Sequence, residues 1–230
     1  MRKKLNKNFF IQILGILLIL SSLSYLGYYK YRVISRKNNI EQRKEEFLKE
    51  SVAKNKKNNK NIDDKNNKVL VDNLVGVDSS NSKKNNKNLD ESLDTIAFIE
   101  IKKLGVILPV FSGTSNKELR EGVGVVESTD YPSDDLSTVS VIAGHRGGYN
   151  GEQTFLNIDK LNNNDEIKIT LRGQELTYRV YQEKIIESND WSEFTKEDDK
   201  SKLILLSCHP YPQNHQRILT ISKLVSKKEL

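Results

Sequence analysis

The sequence has few residues that cross-link or interrupt a chain: its 230 residues include one cysteine, one tryptophan, one methionine and four prolines. A single cysteine cannot form a disulfide within the chain, so a disulfide-stabilised scaffold is excluded. Neither a CxxC pair nor a His/Cys cluster at zinc-binding spacing is present, which excludes a structural zinc module. The length allows one domain with appendages, and no cofactor is predicted.

The C-terminal part of the chain has no excess of positive charge. The formal net charge is +6, but residues 1–95 carry 20 basic and 11 acidic side chains, whereas residues 96–230 carry 17 and 20. A domain that reads nucleic acid has its basic residues on the folded unit. We therefore expect no nucleic-acid partner.

Residues 9–29 form an uncharged run rich in Leu and Ile. This is about the 20 residues that a helix needs to span a bilayer. The run is longer than the apolar core of a cleavable signal peptide, and no small-x-small cleavage site follows it, so we favour an uncleaved anchor. We predict a cytoplasmic basic tail over 1–8 and a transmembrane signal-anchor over 9–29. Basic residues lie on both sides of the span, and charge alone does not decide its orientation.

Lys, Asn, Glu, Asp and Ser dominate residues 30–94, which include the runs KNKKNNKN and KKNNKN. This composition buries too little apolar surface to offset the entropy lost on ordering, so we expect a disordered polar stalk. Residues 40–50 are compatible with a short helix that continues from the membrane. The lysines are interpreted as solubilising, with binding to anionic lipid or wall polymer as the alternative.

From residue 95 onward, β-branched and aromatic residues alternate with polar ones in short runs broken by turn residues. The predicted strands are 96–101, 106–111, 139–144, 166–171, 176–186, 202–208 and 217–225. Short helices are predicted at 115–122 and 152–161. The pattern predicts a mostly β domain over residues 95–230, either a sandwich or a closed barrel.

Cys208 lies at the end of an apolar run, KLILLSCHP, because Pro210 cannot extend a strand. The segment RILTISKLV is expected to return as the second strand of a hairpin, which places Arg217 level with Cys208. A guanidinium beside a thiol favours the thiolate, and it can also hold a carbonyl oxygen that gains negative charge during attack.

His145 follows a second apolar strand in the run VSVIAGHRGG. An imidazole at a strand end, flanked by glycines such as Gly144, is well placed to transfer protons for a thiol. His209 follows Cys208 directly, and neighbours in an extended chain point to opposite faces, so it is not expected to reach the sulfur. His215 lies in the hairpin loop, and His145 is the preferred candidate. The alternative is a non-catalytic, membrane-tethered β module in which the cysteine is a core residue.

These segments together resemble the sortase family, the membrane-anchored cysteine transpeptidases of Gram-positive bacteria. The similarity covers residues 96–225 in the family's order: IAFIEIKKLGVILPVFSG, ELREGVGVVEST followed by YP, VIAGHRGG, FLNIDKLNNNDEIKI and LILLSCHPYPQNHQR. Lys103 departs from the family, in which many members have proline in the first strand. The departure bears on the edge of that strand and not on the chemistry.

The resemblance implies catalytic roles for His145, Cys208 and Arg217, and substrate-binding roles for Ser207 and Gly144. It implies an eight-stranded β-barrel that recognises an LPXTG-type sorting signal. In that scheme the cysteine attacks the Thr carbonyl as in a thiol protease and releases Gly, and an amine of a cell-wall precursor such as lipid II resolves the thioacyl-enzyme. The implied partners are LPXTG-bearing surface proteins and this amine. The implied location is the cell membrane, with the catalytic domain outside.

Class A is the favoured class, because the C-terminal KLVSKKEL carries no second hydrophobic span and the stalk contains no proline. Class C, which polymerises pilins with a pilin lysine as acceptor, is the alternative, because GHRGG and CHPYPQNHQR are similar to those enzymes. Calcium activation is left open. Glu127, Asp130 and Asp134 have the carboxylates that it requires, although a solvated acidic loop accounts for them.

Overall fold

The computed structural model describes residues 7–60, 93–147 and 154–230. A long helix, α1, spans Lys7–Lys60, and a short helix, α2, spans Asn116–Glu121. The strands are β1 (Thr95–Ile101), β2 (Val106–Phe111), β3 (Val123–Val125), β4 (Thr138–Ala143), β5 (Glu166–Leu171), β6 (Gln174–Glu187), β7 (Ser201–His209) and β8 (Gln216–Glu229).

The eight strands close into one barrel in the order β1-β2-β3-β4-β7-β8-β6-β5. The pairs β2–β3 and β4–β7 are parallel, and the other neighbouring strands run antiparallel. Large side chains such as Phe98, Leu108, Leu205 and Ile218 fill the main buried core. The predicted mostly β fold with an eight-stranded barrel is therefore confirmed.

All seven predicted strands are present, but the eighth was not predicted. Strand β3 contains only the residues Val-Gly-Val, which are too few to show an alternating pattern. It forms through its neighbours, pairing with the end of β2 on one side and with β4 on the other.

The two predicted short helices have different outcomes. Helix α2 is confirmed, and Ser115 and Glu118 form a capping box at its start. Of the second predicted helix, residues 154–161 are described and contain only a 3₁₀ turn at Ile158–Lys160.

Helix α1 continues well past the apolar run. Among the described residues, the segment Phe10–Glu50 is the one long and apolar enough to cross a membrane, with a mean hydropathy of 2.0 over 18 residues. The helix expected over residues 40–50 is present, but it is part of a longer one, because α1 continues through residues 30–60 in place of the expected disordered stalk. Residues 61–92 of the expected stalk lie outside the described part.

Two apolar residues attach this helix to the barrel. Ile40 and Phe47 are buried, and the Phe47 ring meets Phe98 edge-on at a centroid distance of 5.4 Å. Nearby, Lys44 Nζ lies 2.8 Å from Glu100 Oε2. Burial alone would raise the pKa of Glu100, but the hydrogen bond and charge of Lys44 outweigh it and lower this pKa. The composition of this part of α1 is too polar to predict that it packs on the barrel. Its contact with the barrel therefore stabilises it as a helix.

Candidate active site

Three neighbouring strands bring a histidine, a cysteine and an arginine to one edge of the barrel. In the parallel pair β4–β7, Ala143 lies beside Leu206, so His145 and Cys208 each lie two residues beyond equivalent positions. In the antiparallel pair β7–β8, Arg217 lies directly opposite Cys208, as predicted for the hairpin. Adjacent strands are about 5 Å apart, so the three positions span roughly 10 Å across the sheet.

Cys208 lies on the outer face of the barrel wall. Side chains alternate along a strand, and Leu205 belongs to the barrel core together with Leu203. Ile204 and Leu206 belong instead to a second apolar cluster, and Cys208 shares their face. Cys208 as a residue is partly exposed. A substrate can therefore approach it from outside without opening the barrel.

The second apolar cluster lies beside the thiol on β4, β6, β7 and β8, and we call it the outer cluster. Its buried members are Val139, Val141, Ile186, Ile204, Leu219 and Ile221. The connection between β6 and β7, residues 188–200, covers part of it through Phe194, which meets Trp191 edge-on at 5.3 Å. Lys196 in this connection lies 2.9 Å from Asp130, which precedes β4. The outer cluster is thus covered in part by this loop, and Val126 from the segment after β3 also packs against it.

Ser207 and Gly144, which the sequence analysis placed at the substrate, bond to each other. Ser207 Oγ donates to the carbonyl oxygen of Gly144 at 2.8 Å, and the Gly144 N–H donates to the carbonyl of Leu206 at 3.0 Å. Ser207 is 2% exposed, and a Cβ on Gly144 would come within 2.8 Å of Phe155. The two residues therefore join the ends of the strands that present the imidazole and the thiol.

Arg146, which the sequence analysis did not single out, supports the site from behind. It is 8% exposed, and its guanidinium lies 2.8 Å from Asp159 Oδ2. Its Nη1 donates to the carbonyl oxygen of Cys208 at 3.4 Å and lies 2.7 Å from His209 Nδ1. Because a guanidinium can only donate, Nδ1 accepts this bond. Arg146 therefore connects the residue after His145 to the backbone of the nucleophile candidate.

Of the other two histidines, one is held by a neighbouring side chain and one is exposed. His209 is engaged by Arg146, and His215 is exposed in the loop between β7 and β8. His145 is also exposed, at the end of β4.

Glu183 lies near Arg146 and His209. Partial loss of water raises the pKa of Glu183, and the charge of Asp159 raises it further against the opposing effects of His209 and Arg146. An acidic side chain that is more easily protonated than usual thus adjoins the arginine network.

The loop between β7 and β8 is supported from two sides. Arg217 Nη1 donates to the carbonyl oxygens of Asn214 at 3.1 Å and Gln216 at 2.8 Å. Gly147 has a φ of +81°, and a Cβ there would lie 2.9 Å from the Tyr211 ring. Glycine suits this position, because its backbone is left-handed and its approach to the ring is close.

Among the described residues, no three His, Cys, Asp or Glu side chains come together to hold a metal ion. Of the carboxylates considered for calcium, Asp130 pairs with Lys196, and Asp134 lies 3.0 Å from Lys227. The N–H of Val139 donates to Asp130 and lowers its pKa, burial opposes this change, and Lys196 adds to it. Both carboxylates thus have protein partners.

The candidate active site lies in the part of the chain that matches a known protein family. The sortase domain family matches residues 99–225. In sequence, the chain is similar to sortase D from Bacillus subtilis (strain 168), with 32% identity over 113 residues. That alignment covers 49% of this chain and 54% of the relative, so the chain spans about half the length of this curated protein.

Solved structures show the same similarity in three dimensions. Sortase A from Corynebacterium diphtheriae has a TM-score of 0.57 and 29% identity, covering 59% of this chain and 62% of that chain. Sortase C from Clostridium perfringens SM101 has a TM-score of 0.53 and 33% identity, covering 58% and 71%. The relatives carry different class letters, so the similarity extends to the family and not to one class.

Proposed function

The chain belongs to the sortase family, and from that premise we propose that it is a membrane-anchored cysteine transpeptidase. It cleaves an LPXTG-type sorting signal between Thr and Gly and transfers the protein to an amine of a cell-wall precursor such as lipid II. The observation that carries this proposal is the shared strand edge of His145, Cys208 and Arg217. The catalytic domain lies outside the cell, where both partners are found.

Cys208 supplies the nucleophile of the first half-reaction. Its thiolate sulfur attacks the carbonyl carbon of Thr, and the carbonyl oxygen gains a negative charge. Arg217, opposite the cysteine, stabilises this oxyanion or holds the adjacent substrate backbone. His145, in its protonated form, gives a proton to the nitrogen of Gly as the C–N bond breaks, and a thioester remains.

The second half-reaction regenerates the enzyme. The acceptor amine attacks the thioester carbonyl, His145 takes a proton from its nitrogen, and the C–S bond breaks to release the Cys208 thiolate. The membrane anchor confines the enzyme, the sorting signal and the lipid-linked amine to one surface, which raises their effective concentration. The partly buried Leu206, at the edge of the outer cluster and two residues before Cys208, offers an apolar surface to the Leu and Pro of the signal.

A peptide-cleavage assay tests this proposal. The full chain in detergent micelles is incubated with a fluorogenic LPXTG peptide, with and without an amine acceptor, beside Cys208→Ala. We expect cleavage between Thr and Gly that requires the thiol, and a second product that requires the amine. Absence of cleavage together with a Cys208 that resists alkylation in the folded protein would favour the non-catalytic β module.

The assignment of the histidine has its own test. We expect His145→Ala to abolish turnover, because both proton transfers lose their carrier, while His215→Ala only reduces it. Peptide cleavage by the two variants is compared with that of the parent chain. Equal losses would overturn the assignment.

A pilin lysine is the second candidate acceptor. The similarity to sortase C structures, at 33% identity for the C. perfringens protein, favours this candidate. The assay distinguishes the two acceptors when a lysine-containing peptide replaces the cell-wall amine. Preferential transfer to the lysine side chain would identify a polymerising enzyme.

A further inference from the structure

A cavity of about 370 Å³ lies between α1 and the end of α2, just beyond the apolar run of the long helix. Its charged and aromatic lining residues are Tyr29, Tyr31, Arg32, Arg36, Arg43 and Glu121. Three guanidinium groups outweigh the one carboxylate, so the cavity is cationic. None of these residues takes part in the proposed transpeptidation.

Arg36 holds a fixed position in the wall of this cavity. Its Nη2 donates to the carbonyl oxygens of Arg120 and Glu121, both at 3.1 Å, at the end of α2. Its Nε is buried and has no hydrogen-bond partner among the residues that the structure describes. A buried donor without an acceptor is costly, so a ligand that brings acceptor oxygens into the cavity would be stabilised there.

The cavity begins at the level of the lipid headgroups. The apolar run ends at Tyr29, and a helix along the bilayer normal rises 1.5 Å per residue, so Arg32 and Arg36 lie about 5 Å and about 10 Å beyond that end. The headgroup layer of one leaflet is about 5–8 Å thick. Arg32 is thus within the layer and Arg36 near its outer boundary. Arg43, about 21 Å beyond the end, donates to Thr95 instead.

We propose that this juxtamembrane cavity binds the phosphate of an anionic phospholipid headgroup. Arg32 and Arg36 supply the cationic partners, since the guanidinium fork matches the oxygens of a phosphate. Tyr29 and Tyr31 flank the site, and tyrosine is favoured at the membrane interface. The proposal goes beyond the catalytic function and rests only on the membrane anchor. A bound lipid would tie the helix, and the barrel packed on it, to the bilayer surface.

Lipid retention by the full chain tests this proposal. The protein in detergent micelles is titrated with phosphatidylglycerol or phosphatidylcholine, and native mass spectrometry measures the fraction with lipid bound. We expect one phosphatidylglycerol to bind about tenfold more tightly than phosphatidylcholine, and Arg36→Gln to weaken it roughly tenfold. Lys37→Gln is the matched control, because it removes the same charge one residue along the helix from Arg36, at an exposed position outside the cavity lining. We expect it to change binding less than about twofold.

Several outcomes would overturn the proposal. Equal binding of the two lipids would remove the anionic preference, and equal losses in the Arg36 and Lys37 variants would indicate general charge attraction. Retention of inorganic phosphate by a protein that retains no phosphatidylglycerol would show that the cavity binds free phosphate and not a lipid. If Arg36→Gln loosens the helix, Arg32→Gln is tested in its place, because this variant keeps Arg36 and its hydrogen bonds to α2. Peptide cleavage in the same preparation reports separately on the proposed catalytic function.

Discussion

The two faces of strand β7 are built for different purposes. On the inner face, Leu203, Leu205 and Ser207 are at most 2% exposed and lie in the closed barrel. On the outer face, Ile204 is covered by a loop and Cys208 is partly open to solvent. Side chains alternate between the two faces of a strand. Strand β7 therefore contributes to the packed core on one face and to the candidate active site on the other.

The difference between the faces arises from how each is covered. The inner face meets side chains from strands on every side, so its burial depends on the whole barrel. The outer face is covered by loop segments, mainly the connection between β6 and β7, with Val126 packing from the segment after β3. We expect changes on the inner face to alter stability first, and changes on the outer face to alter activity first.

The largest effect is expected for Cys208→Ala. Without the sulfur there is no nucleophile, so peptide cleavage falls at least about a thousandfold. The site is partly exposed, and the free energy of unfolding changes by less than about 1 kcal/mol. Cleavage assays and urea denaturation measure the two quantities. A large loss of stability in this variant would break the distinction between the faces.

A neighbouring pair of leucines sharpens the comparison. Leu205→Ala leaves a cavity in the closed core and lowers the free energy of unfolding by about 2–5 kcal/mol. Leu206→Ala removes the same atoms from a partly buried position on the outer face, so we expect less than half of that loss. Urea unfolding of both variants measures the difference. Equal losses would show that the loop covers the outer face as well as the barrel covers its core.

Arg146 connects the two faces, because it is buried yet bonds to the backbone of Cys208. We expect Arg146→Met to lower kcat about tenfold or more with little change in KM, since the arginine positions the reactive groups without binding substrate. Arg146→Lys restores part of kcat by keeping the charge beside Asp159. An increase in KM with unchanged kcat would instead assign Arg146 to substrate binding.

The smallest effect is expected for the connection between β6 and β7, which packs against the outer cluster. Asp130 accepts the N–H of Val139 at 2.9 Å, which lowers its pKa below the usual 3.8 against partial burial and with help from Lys196. A carboxyl group with a lowered pKa stabilises the fold at higher pH and loses this contribution as pH falls through the folded pKa. We therefore expect the connection to loosen below pH 3.8 while the barrel stays folded.

Trp191, the one tryptophan of the chain, lies in this connection and reports its state by fluorescence. Asp130→Asn is the control, because it removes the titrating group, and its acid transition should shrink. An acid transition of unchanged size in this variant would assign the effect to other carboxylates. Unfolding of the barrel in the same acid transition would show that the β6–β7 connection and the barrel unfold as one cooperative unit.

Local patterns predicted most of the strands, because alternation and turn residues act over short distances. They missed β3, which is too short to alternate, and the packing of residues 40–50 on the barrel, although a helix was expected there. In that part, Ile40 and Phe47 are isolated apolar residues in a polar background, and only the barrel surface reveals their burial. The role of Arg146 was missed for a similar reason, because its partners Asp159 and His209 come from separate segments.

The sequence by itself determined that Cys208 lies next to the end of a strand and that a hairpin returns Arg217 to its side. Both follow from local chemistry, since the proline after the cysteine stops the strand and the returning run alternates. Only the tertiary structure decided that β4 lies parallel to β7 and brings His145 to the same edge. Parallel strands are joined through a long crossover, and the barrel as a whole selects their pairing, so no local pattern encodes it.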